Sequence, residues 1–262
     1  VNIIASMNGY SDIILGNVVG SNNFNLFIIL GLSGMILPIA VKSSTAWKEI
    51  PISLFVTIIL LFLLNDFNFS QQGALSRLDG VFLLVLFLCF LYYVFVQIKQ
   101  DSTTHTEVVQ KSTFKIWVLI IMGLSGLLAG GQLVVVYSVD LANGLGVSEK
   151  IIGLTIIAAG TSLPELVTSV VAATKKNSDI VIGNVIGSNV FNILLILAVS
   201  SLIRPIEYHS RFNLDLFILI GGTVFLLSSM LTGQRKKLDR WEAAILFVFY
   251  LFYTVFLVLK EI

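Results

Sequence analysis

Stretches of about twenty apolar residues recur along the whole chain, and they restrict it to one class of fold. Eight can be counted, at 12–37, 47–64, 79–98, 114–140, 147–174, 179–203, 213–232 and 241–259, and residues 1–8 read as the tail of a ninth. Each is long enough to cross the hydrocarbon core of a bilayer as a helix. They are too long and too evenly apolar for the alternating, roughly ten-residue strands of a membrane barrel. Backbone N–H and C=O groups find no water in lipid, so helices, which pair them internally, are the remaining choice. Composition agrees, since 56% of the 262 residues are hydrophobic and 12% charged. The expected fold is an all-α polytopic membrane protein.

The net charge of +1 gives no pointer to a nucleic-acid partner, and the single Cys89 lies inside an apolar run where no disulfide framework can form. Val1 opens the chain without a cleavable signal, and an upstream segment is expected to be missing. Numbering the loops in order, one alternate set carries Lys42, Lys48, Lys99, Lys111, Lys115, Lys175, Lys176, Arg235, Lys236, Lys237 and Arg240. The other set carries Arg77, Lys150, Arg204, Arg211 and Lys260. Eleven against five predicts that the first set is cytoplasmic and that the C-terminus faces outward.

Offset by 167 residues, 11–39 matches 178–206 at 17 of 29 positions, polar residues included. Five crossings separate the two copies, and an odd number turns the second upside down. An inverted repeat is therefore expected, with 1–98 as the remainder of the first copy, 99–113 as a cytoplasmic linker and 114–262 as the second. Such architectures place a polar site near the midplane, where the halves meet.

Asn17, Ser21 and Asn25 recur every four residues in the first copy, and Asn184, Ser188 and Asn192 in the second, so each set lines one helical face. Lipid would leave these groups unsatisfied at several kcal/mol each, so both stripes should face protein, water or an ion. Gly16, Gly20, Gly183 and Gly187 form GxxxG pairs that allow close helix packing. In GTSLPE at 160–165, Pro164 should break its helix and free or distort carbonyls around Ala158 to Thr161. With the hydroxyls of Thr161 and Ser162 and the carboxylate of Glu165, the break gathers the oxygen donors that Na⁺ and Ca²⁺ require. Glu165 is the only carboxylate well inside a predicted span, which marks it as a candidate functional residue. His105 and His209 fall in loops and Cys89 stands alone, so zinc or copper is poorly supported. Asp12 and Asp179 read as helix N-terminal residues, and Asp66, Asp79, Asp140, Ser148, Glu149, Asp215 and Glu242 as interfacial.

Residues 145–197, from LGVSEKIIGL through GTSLPE to GNVIGSNVFNILLIL, resemble the second signature repeat of the sodium/calcium exchanger family. GNVVGSNNFN at 16–25 is similar to the latter half of the first. The resemblance implies a ten-helix inverted-repeat fold, of which eight complete helices and the tail of another are present here. It implies further that Glu165, backbone oxygens of Ala158 and Thr161, the Ser162 side chain, Ser188 and Asn192 hold the ions, joined by Ser21 and Asn25. A partner GTSxPE segment would place its glutamate three residues before Val1. Some family members carry Asp at the position of Asn192, so the coupling ion stays open between Na⁺ and H⁺.

The expected activity is antiport by alternating access, exchanging Ca²⁺ for Na⁺ or H⁺ in the plasma (inner) membrane, with no cofactor and no covalent chemistry. The resemblance implies that the helices sliding past the ion-holding group would be the missing first helix and 114–140. A channel would differ in needing no counter-ion. An intramembrane hydrolase built on Ser162 lacks a His or Lys within the spans to act as its base.

Overall fold

The computed structural model describes residues 1–40, 48–65, 72–101, 113–144, 151–232 and 237–261. The expectations for Lys42, Asp66, His105, Lys111, Ser148, Glu149, Lys150, Arg235 and Lys236 lie outside the described residues. In chain order the helices are α1 (Asn2–Asn8), α2 (Ser11–Ile36), α3 (Ile50–Leu64), α4 (Arg77–Asp101), α5 (Thr113–Gly144), α6 (Ile152–Thr161), α7 (Leu163–Thr174), α8 (Ser178–Ile203), α9 (Asn213–Thr232) and α10 (Arg240–Glu261). Among the described residues five helices are long and apolar enough to cross a membrane, and six if the bent pair α6–α7 counts as one span. Two further expected crossings correspond to α3, whose 15 residues extend about 22 Å, and to α5, where the apolar stretch described is Ile116–Gly126.

Burial sorts the helices by role. In α2 every residue from Ile14 to Gly31 except Phe24 is buried, polar ones included, which is how a helix at the centre of a bundle is solvated. The Phe-rich faces of α4 and α10 point outward instead, with Phe82, Phe95, Phe252 and Phe256 exposed as lipid-facing surface. Their opposite faces pack inward through Phe87 on Phe191 and Tyr250 on Phe27. Helix α2 also widens to i→i+5 hydrogen bonding over Phe24–Ile29, as do the starts of α6 over Ile152–Ile157 and the middle of α8 over Asn192–Leu197.

Two short antiparallel ribbons tie distant segments together. Strand β1 (Ile39–Ala40) pairs with β4 (Lys237–Leu238), and β2 (Gln72–Leu75) pairs with β3 (Ile206–His209). Ile39 and Ile206 are counterparts at the 167-residue offset, so the segment after α2 pairs with the residues leading into α10 just as the segment after α8 pairs with those leading into α4.

Asp12 and Asp179 stand in the first turns of α2 and α8, as expected of helix N-terminal residues, but neither supplies the cap. Asp12 does not cap α2, which begins after Tyr10 without a side-chain cap; its carboxylate takes the Arg211 guanidinium and lies 3.6 Å from His209 Nδ1. Helix α8 is capped one residue ahead of Ser178, by Asn177 accepting the Ile180 N–H at 3.2 Å. Asp79 forms a reciprocal cap with Ser76, and Glu242 accepts the Asp239 N–H at 2.8 Å.

Candidate functional site

The break between α6 and α7 bends the chain by 52° at Ser162, and Pro164 in the first turn of α7 accounts for it. The Ala158 and Ala159 carbonyls before it keep a backbone donor, so there the break distorts the hydrogen bonding rather than freeing it. The chain tightens, and the Ser162 N–H is shared between the Ala158 and Ala159 carbonyls at 3.1 and 3.2 Å. What the break contributes is a second lone pair on Ala158, aimed sideways at α2. Helix α2 can come close enough to meet it because Gly16 and Gly20 face α6: a Cβ on Gly20 would lie 2.5 Å from the Leu154 carbonyl oxygen, and one on Gly16 would lie 3.1 Å from the Gly153 Cα.

Four oxygens converge at that contact. The Thr161 hydroxyl lies 2.9 Å from Asn17 Oδ1, 3.1 Å from Ser21 Oγ and 3.1 Å from the Ala158 carbonyl, which is 3.3 Å from Ser21 Oγ. Only the two hydroxyls carry protons to share among them, so acceptors outnumber donors. Ser162 itself is buried at the bend.

On the other side of the break, Glu165 enters a cavity of about 560 Å³ that is also lined by Gly183, Asn184, Gly187, Ser188 and Asn192 of α8. Its Oε2 is buried and accepts no hydrogen bond among the described residues. Asn184 spends its N–H groups on α7, donating to the Glu165 carbonyl at 3.0 Å and to Ser169 Oγ at 2.9 Å. A Cβ on Gly183 or Gly187 would meet nothing within 4 Å among the described residues, unlike one on their counterparts in α2. The structure thus gathers the predicted residues in two groups flanking Ser162: Ser21, Ala158 and Thr161 with Asn17, and Glu165, Ser188 and Asn192 with Asn184. Asn25 joins neither by a hydrogen bond; it is buried on α2 with an Oδ1 that has no partner among the described residues.

Two residues that periodicity did not single out connect Asn25 of α2 to Asn192 of α8. Asn22 and Asn189, fully buried, exchange hydrogen bonds across α2 and α8: each Nδ2 donates to the other's backbone carbonyl at 3.3 Å. Asn22 Oδ1 accepts from Asn192 Nδ2 and Asn189 Oδ1 accepts from Asn25 Nδ2, both at 3.0 Å. Their identity at the 167-residue offset was the available signal. Asp215 corrects a second expectation. It is wholly buried rather than interfacial, because the Tyr253 hydroxyl donates to its Oδ1 and Asn23 Nδ2 donates to its carbonyl at 3.1 Å.

Comparison with known proteins bears on what this oxygen-rich interior serves. A family model described as sodium/calcium exchanger protein matches residues 1–96 and 115–259. The putative antiporter CaxA of Alkalimonas amylolytica is 34% identical over 263 residues, covering 97% of this chain and 81% of that protein. The sodium/calcium exchanger MaX1 of Methanosarcina acetivorans is 29% identical, covering 97% and 83%. Among solved structures, the sodium-calcium exchanger NCX_Mj soaked with 2.5 mM Na⁺ and 10 mM Sr²⁺ superimposes with a TM-score of 0.76 at 32% identity, covering 97% of this chain and 80% of that one. By a match that runs through both polar helices and the proline break, the chain belongs to the sodium/calcium exchanger family.

Proposed function

We propose that the protein is a secondary antiporter that exchanges Ca²⁺ for Na⁺ across the membrane by alternating access. The observation that carries this reading is Glu165 Oε2, a buried carboxylate oxygen that accepts no hydrogen bond among the described residues, on a side chain lining the same cavity as Asn184, Ser188 and Asn192. An anionic oxygen left without a donor in a low-dielectric interior is costly unless a cation occupies the space beside it. The transported ions would be held by Glu165, Ser162, Ser188 and Asn192 on one side and by Ser21, Asn25, Thr161 and the Ala158 carbonyl on the other. Hard oxygen donors of this kind suit Na⁺ and Ca²⁺.

The reciprocal contacts between residues 167 apart support two inverted halves, 1–98 and 114–262 joined by 99–113, in a ten-helix family plan. Loop charge favours a cytoplasmic linker and an external C-terminus in the plasma (inner) membrane. No enzymatic step and no cofactor enter this mechanism.

A second reading, Ca²⁺/H⁺ antiport, is favoured by one feature. Among the described residues Glu165 and Glu49 are the two carboxylates lining the cavity, and Asn192 is neutral, so the charge available to balance a divalent ion is small. The purified protein in proteoliposomes, loaded with Na⁺ or with acidic buffer, separates the two. Uptake of ⁴⁵Ca²⁺ driven by an outward Na⁺ gradient supports the first reading. Uptake driven only by an outward proton gradient replaces it with the second, and uptake that needs no counter-ion replaces both with a channel.

A further inference from the structure

Carboxamides present a cation with a choice that carboxylates do not, because rotating an Asn side chain by 180° replaces its oxygen by an NH₂ that repels the ion. Asn25 and Asn192 are the two Asn ligands in the proposed site, and each has its NH₂ already committed. Asn192 Nδ2 donates to Asn22 Oδ1, and Asn25 Nδ2 donates to Asn189 Oδ1, each at 3.0 Å. The orienting residue sits on the opposite helix in both cases. Asn22 and Asn189 are in turn fixed, since each spends its own NH₂ on the other's backbone carbonyl. Neither can flip without putting its oxygen against a carbonyl oxygen and its NH₂ against another NH₂.

Resting on the antiporter reading above, we propose that Asn22 and Asn189 are positioning residues: a crossed amide clasp that turns only the oxygens of Asn192 and Asn25 toward the transported cation. The unpartnered, buried Oδ1 of Asn25 is the consequence of that arrangement already visible in the structure. The clasp also makes α2 and α8 one body, because all four hydrogen bonds run between them. A cation ligand on one helix is thereby oriented by the other, and the two halves of the site share one geometry.

The crossing yields a test that a purely structural role does not pass. In the full chain, Asn22→Leu keeps the side-chain size and removes the acceptor facing Asn192; it should raise the apparent Ca²⁺ dissociation constant about ten-fold, as expected for a buried donor released from its partner. In an Asn192→Ala background the same change should have no further effect on Ca²⁺ affinity, whereas in an Asn25→Ala background it should act in full. Asn189→Leu should show the reverse dependence, silent with Asn25→Ala and active with Asn192→Ala. Isothermal titration of detergent-purified protein with Ca²⁺, and separately with Na⁺, gives the affinities, and thermal unfolding without added cations gives stability. Equal loss in both backgrounds, or lowered stability with unchanged affinity, overturns the positioning role and leaves the antiporter reading intact. Wild-type protein that binds neither cation overturns that reading and this role together.

Discussion

Glu165 combines three properties that rarely coincide: it lies within a membrane span, its Oε2 is buried, and no described donor reaches that oxygen. Gln at this position keeps the shape and removes the charge. Glu165→Gln should cost about 3 kcal/mol of cation binding, roughly 100-fold in affinity, because it leaves the ion's charge uncompensated. Thermal stability without cations should hold or rise, since a buried charge has gone. Gradient-driven ⁴⁵Ca²⁺ uptake by the variant at the wild-type rate would remove Glu165 from the site. Asn192→Asp tests the neighbouring position from the opposite direction. Deprotonated, the new carboxylate adds charge for a divalent ion but sets an oxygen against Asn22 Oδ1 where an NH₂ now donates. Protonated, it can donate to that oxygen as the amide does. Ca²⁺ affinity of this variant should therefore be close to wild type in acid and climb with pH, checked by titration at pH 6 and pH 8; a pH-independent affinity equal to wild type would mean that position 192 does not touch the ion.

At the scale of elements, what holds the site together is the close approach of α2 to α6. Gly20→Ala would drive a methyl into the Leu154 carbonyl and the Ala158 Cβ, at 2.5 and 2.8 Å, and neither is a side chain that can swing away. Separation of the helices should cost about 1–3 kcal/mol of stability and pull Ser21 from the Ala158 carbonyl, lowering cation affinity as well. Gly221→Ala in α9, where the added Cβ meets nothing within 4 Å among the described residues, is the matched control and should leave both unchanged or gain a little stability from helix propensity. Thermal melts with and without Ca²⁺ read both effects. Much of this geometry was legible beforehand. The Gly16/Gly20 pair announced a close contact and Pro164 announced the bend, because each acts through local sterics that a sequence states directly; the matching Gly183/Gly187 pair makes no such contact among the described residues. The widened turns at Phe24–Ile29 and Asn192–Leu197 were not legible, since no Gly or Pro marks them and apolar spacing is the same on either side. Asn22 and Asn189 were hidden for a related reason: each sits one residue past a serine of the i, i+4 stripe, about 100° around the helix, on a face whose partner is 167 residues away. Asp215 was misread on the same account, since its burial depends on Tyr253, which lies 38 residues further on.

For the molecule as a whole, orientation decides which side supplies Ca²⁺, and it rests on the asymmetry of Lys and Arg between alternate loops. The two ribbons supply rigid, defined places to test it. Strand β3 and the start of α4 belong to the set with few basic residues, and Glu207 and Arg77 are exposed there; Lys175, exposed just after α7, belongs to the basic set. Each is replaced singly by Cys in a Cys89→Ala background, because the native thiol lies on an exposed face of α4 and would react with permeant reagents. Neither the ribbon pairing of Glu207, which runs through its backbone, nor the α7 end at Lys175, which adopts ordinary backbone angles, should be disturbed. A membrane-impermeant maleimide added to intact cells should modify Arg77→Cys and Glu207→Cys and spare Lys175→Cys until the membrane is opened. The positive-inside asymmetry counts charge flanking helix ends and takes no account of the ion site, so this experiment is independent of whether the protein exchanges Na⁺ or H⁺. Modification of Lys175→Cys alone in intact cells would invert the orientation and put the cavity below Glu165 on the other side of the membrane. Modification of all three before the membrane is opened would mean that the chain does not separate these segments by a bilayer, and the span assignment itself would fall.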